Sequence, residues 1–294
     1  MAKNHSAMKK IFTIAFTIIL SGLIAQKNSG DYHLDKIYKM EPNGTLTMNS
    51  SDAKVFITGS SRKDAHVKID RSVETRGLVW GNQEFTIDVS ENNGGLTIRE
   101  RSSYNTIAMV GYTHEKYTIN IDLPEGASLT LRGDDGDYFI KLVHGAINVN
   151  LDDADIELAG CLGNEFKFRI DDGDIKMDEG CGSLTIDADD ADVRIENARF
   201  TTINADIDDG DFVVETSLAD GGDYYINSQD GLIALTVLGG GGRFDIRHDD
   251  ARVSAEGPFE EVEKSESRSR LTLGKGNARV EIRADDARIR LAAR

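Results

Sequence analysis

From about residue 130 to the C-terminus, apolar and polar residues alternate in short bursts that recur at nearly constant spacing. Aligning "DDGDYFI", "DDADIEL", "DDGDIKM", "DDADVRI", "DDGDFVV" and "DDARIRL" on the residue after the acidic turn gives one column. Its members are Tyr138, Ile156, Ile175, Val193, Phe212, Ile233, Val253, Leu271 and Ile289, at steps of 18 to 21 residues. Two residues further on lies a second apolar column: Ile140, Leu158, Met177, Ile195, Val214, Leu235, Ala255, Leu273 and Leu291. The residues between them, such as Glu157, Lys176, Arg194 and Arg290, are mostly polar. Alternation of period two predicts a strand with one buried face. A further set lies halfway between these strands: Ile147, Phe166, Leu184, Ile203, Tyr224, Phe244, Val262 and Val280. Each repeat therefore predicts two short strands and two tight turns.

One such unit cannot bury its apolar face alone, but stacked copies can, with parallel strands hydrogen-bonded from rung to rung. The expected fold is all-β: a single-stranded parallel β-helix, or β-solenoid, of about nine rungs of 18–21 residues, preceded by a less regular β-rich N-terminal part. A β-sandwich explains short strands at regular spacing but not an acidic turn recurring at constant phase. At the corner position Gly136, Ala154, Gly173, Ala191 and Gly210 alternate, which implies a duplicated two-rung unit. Glycine there permits a left-handed corner; alanine implies that a positive φ is not obligatory in every rung.

The pattern lapses at "SESRSRLTL", which keeps Leu271 and Leu273 but has no Asp at the turn, and Lys264 stands where an inward apolar residue belongs. A bulge or excursion is expected there. Upstream, "SDAKVFI" reads as one more rung, while "AHVKID", "EFTIDV" and "YTINIDLPEGASLTLRG" read as longer strands, some antiparallel, placed to cap the first edge. Residues 75–82, with the only Trp at 80, read as a loop. The expected organisation is a signal peptide over 1–25, a mobile tail over 26–35, the irregular β-rich part over 36–130 and the repetitive solenoid over 131–294.

Composition changes this picture in two respects. The 294 residues carry 51 acidic and 34 basic side chains, a formal charge of −17, which disfavours nucleic acid and favours cations or basic partners. At the N-terminus Lys9 and Lys10 precede "IFTIAFTIILSGLIA", too short to span a bilayer comfortably and suited to a signal-peptide core. No later stretch is long and apolar enough for a membrane-spanning helix. Export to the periplasm, the outer surface or the medium follows as the expectation.

The run "INIDLPEGASLTLRGDDGDYFIKL", followed by short strands opening on "DDGDI" or "DDADV", resembles the families labelled as adhesins among bacterial envelope proteins, the DUF4097 and head-GIN type domains. The resemblance covers roughly residues 40–291 and implies a single-stranded β-helix and an exported protein. Those families usually place Ser-Gly-Asp at the corner, where this chain has Asp-Asp-Gly-Asp or Asp-Asp-Ala-Asp. They bring no catalytic residues to carry over.

Stacking predicts two carboxylate columns: Asp135, Asp153, Asp172, Asp190 and Asp209, and beside it Asp137, Asp155, Asp174, Asp192 and Asp211. Unit charges one strand spacing apart, ~4.8 Å, repel by about 0.9 kcal/mol even in bulk water. Three remedies exist: protonation, backbone amides at the corner, or cations between rungs. In the C-terminal rungs Arg252, Arg270 and Arg288 stand near Asp249, Asp250, Asp285 and Asp286 and could pair with them. These ten aspartates are therefore the candidate Ca²⁺ ligands, although neither an EF-hand loop nor a nonapeptide calcium repeat is present. Asx-type capping of solvated corners is the plainer use of the same residues.

Cys161 and Cys181 fall at nearly the same phase of adjacent rungs, so a disulfide is expected in an exported chain. No catalytic set emerges. The histidines lack metal-ligand spacing, His248 reads as a corner residue, and "GGGGR" lacks the Lys-Ser/Thr of a phosphate loop. The expectation is a non-enzymatic envelope protein that binds a glycan or another envelope protein, acts as a scaffold, or associates with itself through the solenoid ends. The alternative is a carbohydrate-active β-helix enzyme using turn aspartates. Against it, an active site needs a few unlike acids rather than many equivalent ones.

Overall fold

The computed structural model describes residues 30–249 and 251–294, with the backbone alone at 75, 77–84 and 102–110. The expected signal peptide lies outside the described residues. All described elements are strands, and no helix occurs among them. The N-terminal part holds β1 (Tyr32–Lys39), β2 (Thr45–Ser50), β3 (Ala53–Ser60), β4 (Asp64–Asn92) and β5 (Gly95–Pro124). The middle holds β6 (Ser128–Lys141), β7 (Ile147–Ala159), β8 (Glu165–Asp209), β9 (Phe212–Ser217), β10 (Asp223–Ser228) and β11 (Leu232–Gly239). Last come β12 (Gly242–His248), β13 (Arg252–Glu256), β14 (Phe259–Lys264), β15 (Arg268–Leu273), β16 (Ala278–Ala284) and β17 (Arg288–Ala293).

In the middle, chain order and spatial order coincide. Leu129, Ile147 and Phe166 are parallel cross-strand partners, as are Tyr138, Ile156 and Ile175. Further along, Ile203 pairs with Tyr224, and Phe212 lies between Val193 and Ile233. The inward positions of these solenoid-like rungs form one continuous apolar core, with Tyr138, Phe166, Phe168, Phe200 and Phe212 fully buried. Alternating burial along β7 follows its sequence residue by residue.

At the C-terminal end the order changes. The rung expected after Tyr224 and Ile233 is that of Phe244 and Val253. Instead the final rung, β16–β17, takes that place: Tyr224 pairs with Val280 and Ile233 with Ile289. Phe244 and Val253 then stack on the far side of the same two residues. The stretch around Leu271 is no rung at all. β15 runs antiparallel to β12, with Leu271 opposite Phe244, and β14 runs antiparallel to β15. This corrects the expectation of nine rungs stacked in sequence order.

The physical reason is side-chain composition. "FEEVEK" offers one partly buried residue, Phe259, and otherwise exposed positions, so it cannot fill the interior. "ARVEIRA" presents Ala278, Val280, Ile282 and Ala284, all buried. The apolar segment occupies the inside and the charged hairpin covers it. The expected irregularity is present as a register shift between Glu261 and Glu263, which leaves Val262 64% exposed.

The N-terminal end repeats this arrangement. β2 and β3 form the rung expected from "SDAKVFI", with Leu46 on Leu129 and Val55 on Tyr138. β5, although later in the chain, stacks outside them, with Leu96 on Leu46 and Ile119 on Val55. Antiparallel β4 covers β5, and β1 covers the first part of β4. Residues 75–82 are therefore not a loop but part of the β4–β5 ladder, with a register shift at Trp80 and Gly81. Likewise Tyr32–Asp35, expected in a mobile tail, belong to β1, where they pair with Arg71–Lys68. Arg71 anchors this cap. Its buried guanidinium donates to Glu115 at 2.5 and 2.9 Å, lies over the face of the Phe85 ring and donates to the Gly30 carbonyl.

Candidate binding surface

The acidic corner is built from an alternating backbone. Gly136, Gly173, Gly210 and Gly231 have φ of 133°, 123°, 135° and 104°, a region unfavourable to side chains. A Cβ at Gly173 would stand 2.3 Å from the Ala154 carbonyl oxygen, and one at Gly210 would stand 2.3 Å from that of Ala191. The alanine rungs carry no such φ, and Ala53, Ala154, Ala191 and Ala287 are buried. The alternation read in the sequence is thus a physical one. An alanine whose methyl fills the core supports a glycine whose backbone must lie close upon it.

The corner sets the carboxylates in register. Asp135, Asp153 and Asp172 are cross-strand partners, and Asp137 opposes Asp155. The second column is relieved by the backbone. The Asp174 amide donates to Asp155 Oδ1 at 3.0 Å, the Asp211 amide to Asp192 Oδ1 at 2.8 Å, and the Leu232 amide to Asp211 Oδ1 at 3.0 Å. Lysines add to this: Lys54 Nζ lies 3.2 Å from Asp137, and Lys176 Nζ lies 2.7 Å from Asp174, which raises the Lys176 pKa. The first column has less relief. The Asp153 carboxyl is held above its ordinary value by desolvation and then by the negative charges of Asp135, Asp172, Asp152 and Asp171.

Several members of this surface were not legible in the repeat. Asp52 precedes Ala53, the partner of Gly136, and so extends the first column; burial and the charge of Asp135 raise its pKa. Lys54 heads the second column. At the other end amide side chains replace acids: Asn227 Nδ2 donates to Asp206 at 2.7 Å and Gln229 Nε2 to Asp208 at 2.7 Å. These residues fall in rungs lacking the full Asp-Asp-x-Asp phrase. Only cross-strand register reveals them.

The surface is shallow. Depressions of about 360 and 310 Å³ follow the corner, one lined by Asp172, Asp174, Asp190, Asp192 and Asp209, the other by Asp137, Asp153, Asp155 and Asp172. Among the described residues no group of three or more His, Cys, Asp or Glu side chains is arranged to hold a metal ion. The ten aspartates expected as calcium ligands are thus gathered along one edge, but as a ladder rather than a coordination shell. Of the acids expected to pair with the C-terminal arginines, Asp250 lies outside the described residues; Arg268 and Arg270 reach Asp245, and Arg270 reaches Glu263 at 2.8 Å, across the end hairpin.

The chain belongs to the Toastrack DUF4097 family. Residues 43–291 match that family's model. No curated protein matches the chain. Among solved structures, this Toastrack chain is similar to a "putative cell adhesion protein" from Clostridium sporogenes, at 13% identity over 90% of this chain and 100% of that one, with a TM-score of 0.25. It is also similar to a "putative adhesin" from Bacteroides fragilis, at 12% identity over 88% and 97% of the two chains, with a TM-score of 0.42. A "putative adhesin" from Parabacteroides merdae matches at 12% identity over 88% and 95%, with a TM-score of 0.27.

The cysteines do not form the expected disulfide; both are free. The register explains why. Ala159 pairs with Asp178, a step that brings Cys161 level with Gly180, one residue short of Cys181. A one-residue offset turns neighbouring side chains to opposite faces. Cys161 is buried in the core, where desolvation raises its pKa, whereas Cys181 is half-buried, with its Sγ 3.2 Å from the Gly163 carbonyl. His248 sits at a corner beside Asp249, as expected, with Nδ1 3.4 Å from its carbonyl. "GGGGR" is a turn into β12, with Gly240 at φ 83°.

Proposed function

We propose that this Toastrack chain is an exported, non-enzymatic envelope protein, a single-stranded parallel β-helix whose acidic corner face binds a partner or serves as a scaffold face. The observation that carries this reading is the register of Asp135, Asp153 and Asp172, which presents equivalent carboxylates at strand spacing along a shallow edge. A row of like charges on a rigid support favours multivalent contact with a cationic or cation-bridged surface, such as a basic envelope protein or a glycan. It does not favour acid–base catalysis, which needs two carboxyl groups with different environments. Calcium enters as a counter-ion along the ladder.

The test is capture by the purified protein in envelope-protein pulldown and on a glycan array, at low and high salt. Asp135→Asn with Asp153→Asn and Asp172→Asn should reduce capture about tenfold or more while leaving the circular dichroism unchanged, as expected when several rim charges are lost. Polysaccharide turnover abolished by Asp172→Ala or Asp209→Ala in a folded protein would end the reading.

A further inference from the structure

The two ends of the stack differ in shape and in charge. At the N-terminal end β1 pairs with β4 alone among the described residues, so its outer edge is open. Between β1 and the last part of β4 runs a groove of about 930 Å³, floored by Leu34, Tyr38, Ile87 and Val89. It is the exposed end of the hydrophobic core, against which Leu34 and Val89 pack while only partly buried. Its rim carries Lys36, Arg99 and Arg101; Asp88 pairs with Arg101 at 2.8 Å, and Glu91 accepts from the Lys39 amide at the far end of β1. Ile37, on the opposite face of β1, is 59% exposed.

The C-terminal end is complementary. Among the described residues β14 pairs only with β15, and β13 only with β17, so both present open edges. β14 carries exposed Glu260, Glu261 and Glu263 around the protruding Val262, and Glu256 and Glu266 flank it. Strand directions are also compatible. β1 is antiparallel to β4, β4 is antiparallel to β5, and β5 is parallel to β3, so β1 runs in the direction of the rungs, as does β13.

We propose that the C-terminal end of one copy docks on the N-terminal groove of a second copy. β13 then lies parallel to β1, and Val262 with its flanking glutamates meets the apolar floor and basic rim. The contact is heterologous, so it propagates into a filament rather than closing as a dimer. The bulge and charges that blunt β14 against unspecific pairing become, against a basic rim, the recognition element. This inference stands apart from the acidic corner face: the corner could fail to bind any partner and the ends still associate.

Analytical ultracentrifugation of the purified protein across concentration, at about 20 mM and about 500 mM NaCl, reads the outcome, because screening is weak in the first and short-ranged in the second. Concentration-dependent species larger than a dimer at low salt, reduced at high salt, are expected. Lys36→Glu with Arg99→Glu should weaken association about tenfold or more, as should Glu260→Lys with Glu261→Lys, by placing like charges face to face. A protein carrying all four changes should regain it, which separates the contact from a folding defect. A monomer at every concentration, a closed dimer, or association indifferent to both reversals would overturn the proposal.

Discussion

Between residues 128 and 239 each rung lies on the one before it in the chain, whereas at both ends a later segment is placed outside or between earlier ones. The difference follows from what each position must satisfy. An inner rung needs only apolar residues facing in and a corner that fits its neighbour, and copying a sequence supplies both. An end has an open edge and an uncovered core, so it needs charged, antiparallel strands that no copied rung contains. Placing the apolar β16–β17 beneath the β12–β15 unit also gives this rung a parallel partner on both sides rather than leaving it at the end of the stack.

The largest test of this contrast is truncation after Gly274. Removing β16 and β17 deletes buried Val280, Ile282, Ile289 and Leu291, each worth about 2 to 5 kcal/mol as a buried aliphatic side chain. It also strips β12 and β13 of their inner partners. Hydrogen exchange should show residues 242–273 unprotected, and the melting temperature should fall steeply. Retained protection there would mean that β12 can settle directly on β10. Next in size, Ile175→Ala in the central stack should cost about 2 to 5 kcal/mol in denaturant unfolding, while Val262→Ala on the end hairpin should stay within about 0.5 kcal/mol.

The corner gives a subtler pair. Gly173→Ala places a methyl against the Ala154 carbonyl at φ 123°, for a cost of about 1 to 3 kcal/mol. Ala154→Gly loses only a buried methyl and some backbone entropy, about 1 kcal/mol. Equal effects at the two corners would refute the alternating geometry.

The smallest effect is electrostatic. A carboxyl whose folded-state pKa is raised favours the fold when protonated, so the Asp153 contribution falls as pH rises through that pKa. The melting temperature should therefore rise as pH is lowered from neutral into the carboxylate range, and Asp153→Asn should remove part of the rise. Asp35 and Asp245, whose pKa values are lowered by His66 and Arg268, act in the opposite sense, losing their contribution only in more acid solution. Salt or millimolar Ca²⁺ at neutral pH should imitate the acid shift by screening the ladder. No change under any of these conditions would show that the amides at the corner already neutralise the columns.

The sequence by itself determined the strands, their inward faces and the composition of the corner, because period-two alternation and the Gly/Ala exchange are local constraints that each rung states for itself. It also placed the chain among its relatives through the same phrase. Tertiary structure alone decided the order of the end rungs, the conversion of residues 75–82 and 259–273 into antiparallel cover, the separation of the two cysteines, the lysine that heads one acid column and the amide side chains set beside the columns. Those depend on which surfaces compete for the same uncovered core and on a register accurate to one residue. A pattern that repeats every 18 to 21 residues leaves both undetermined.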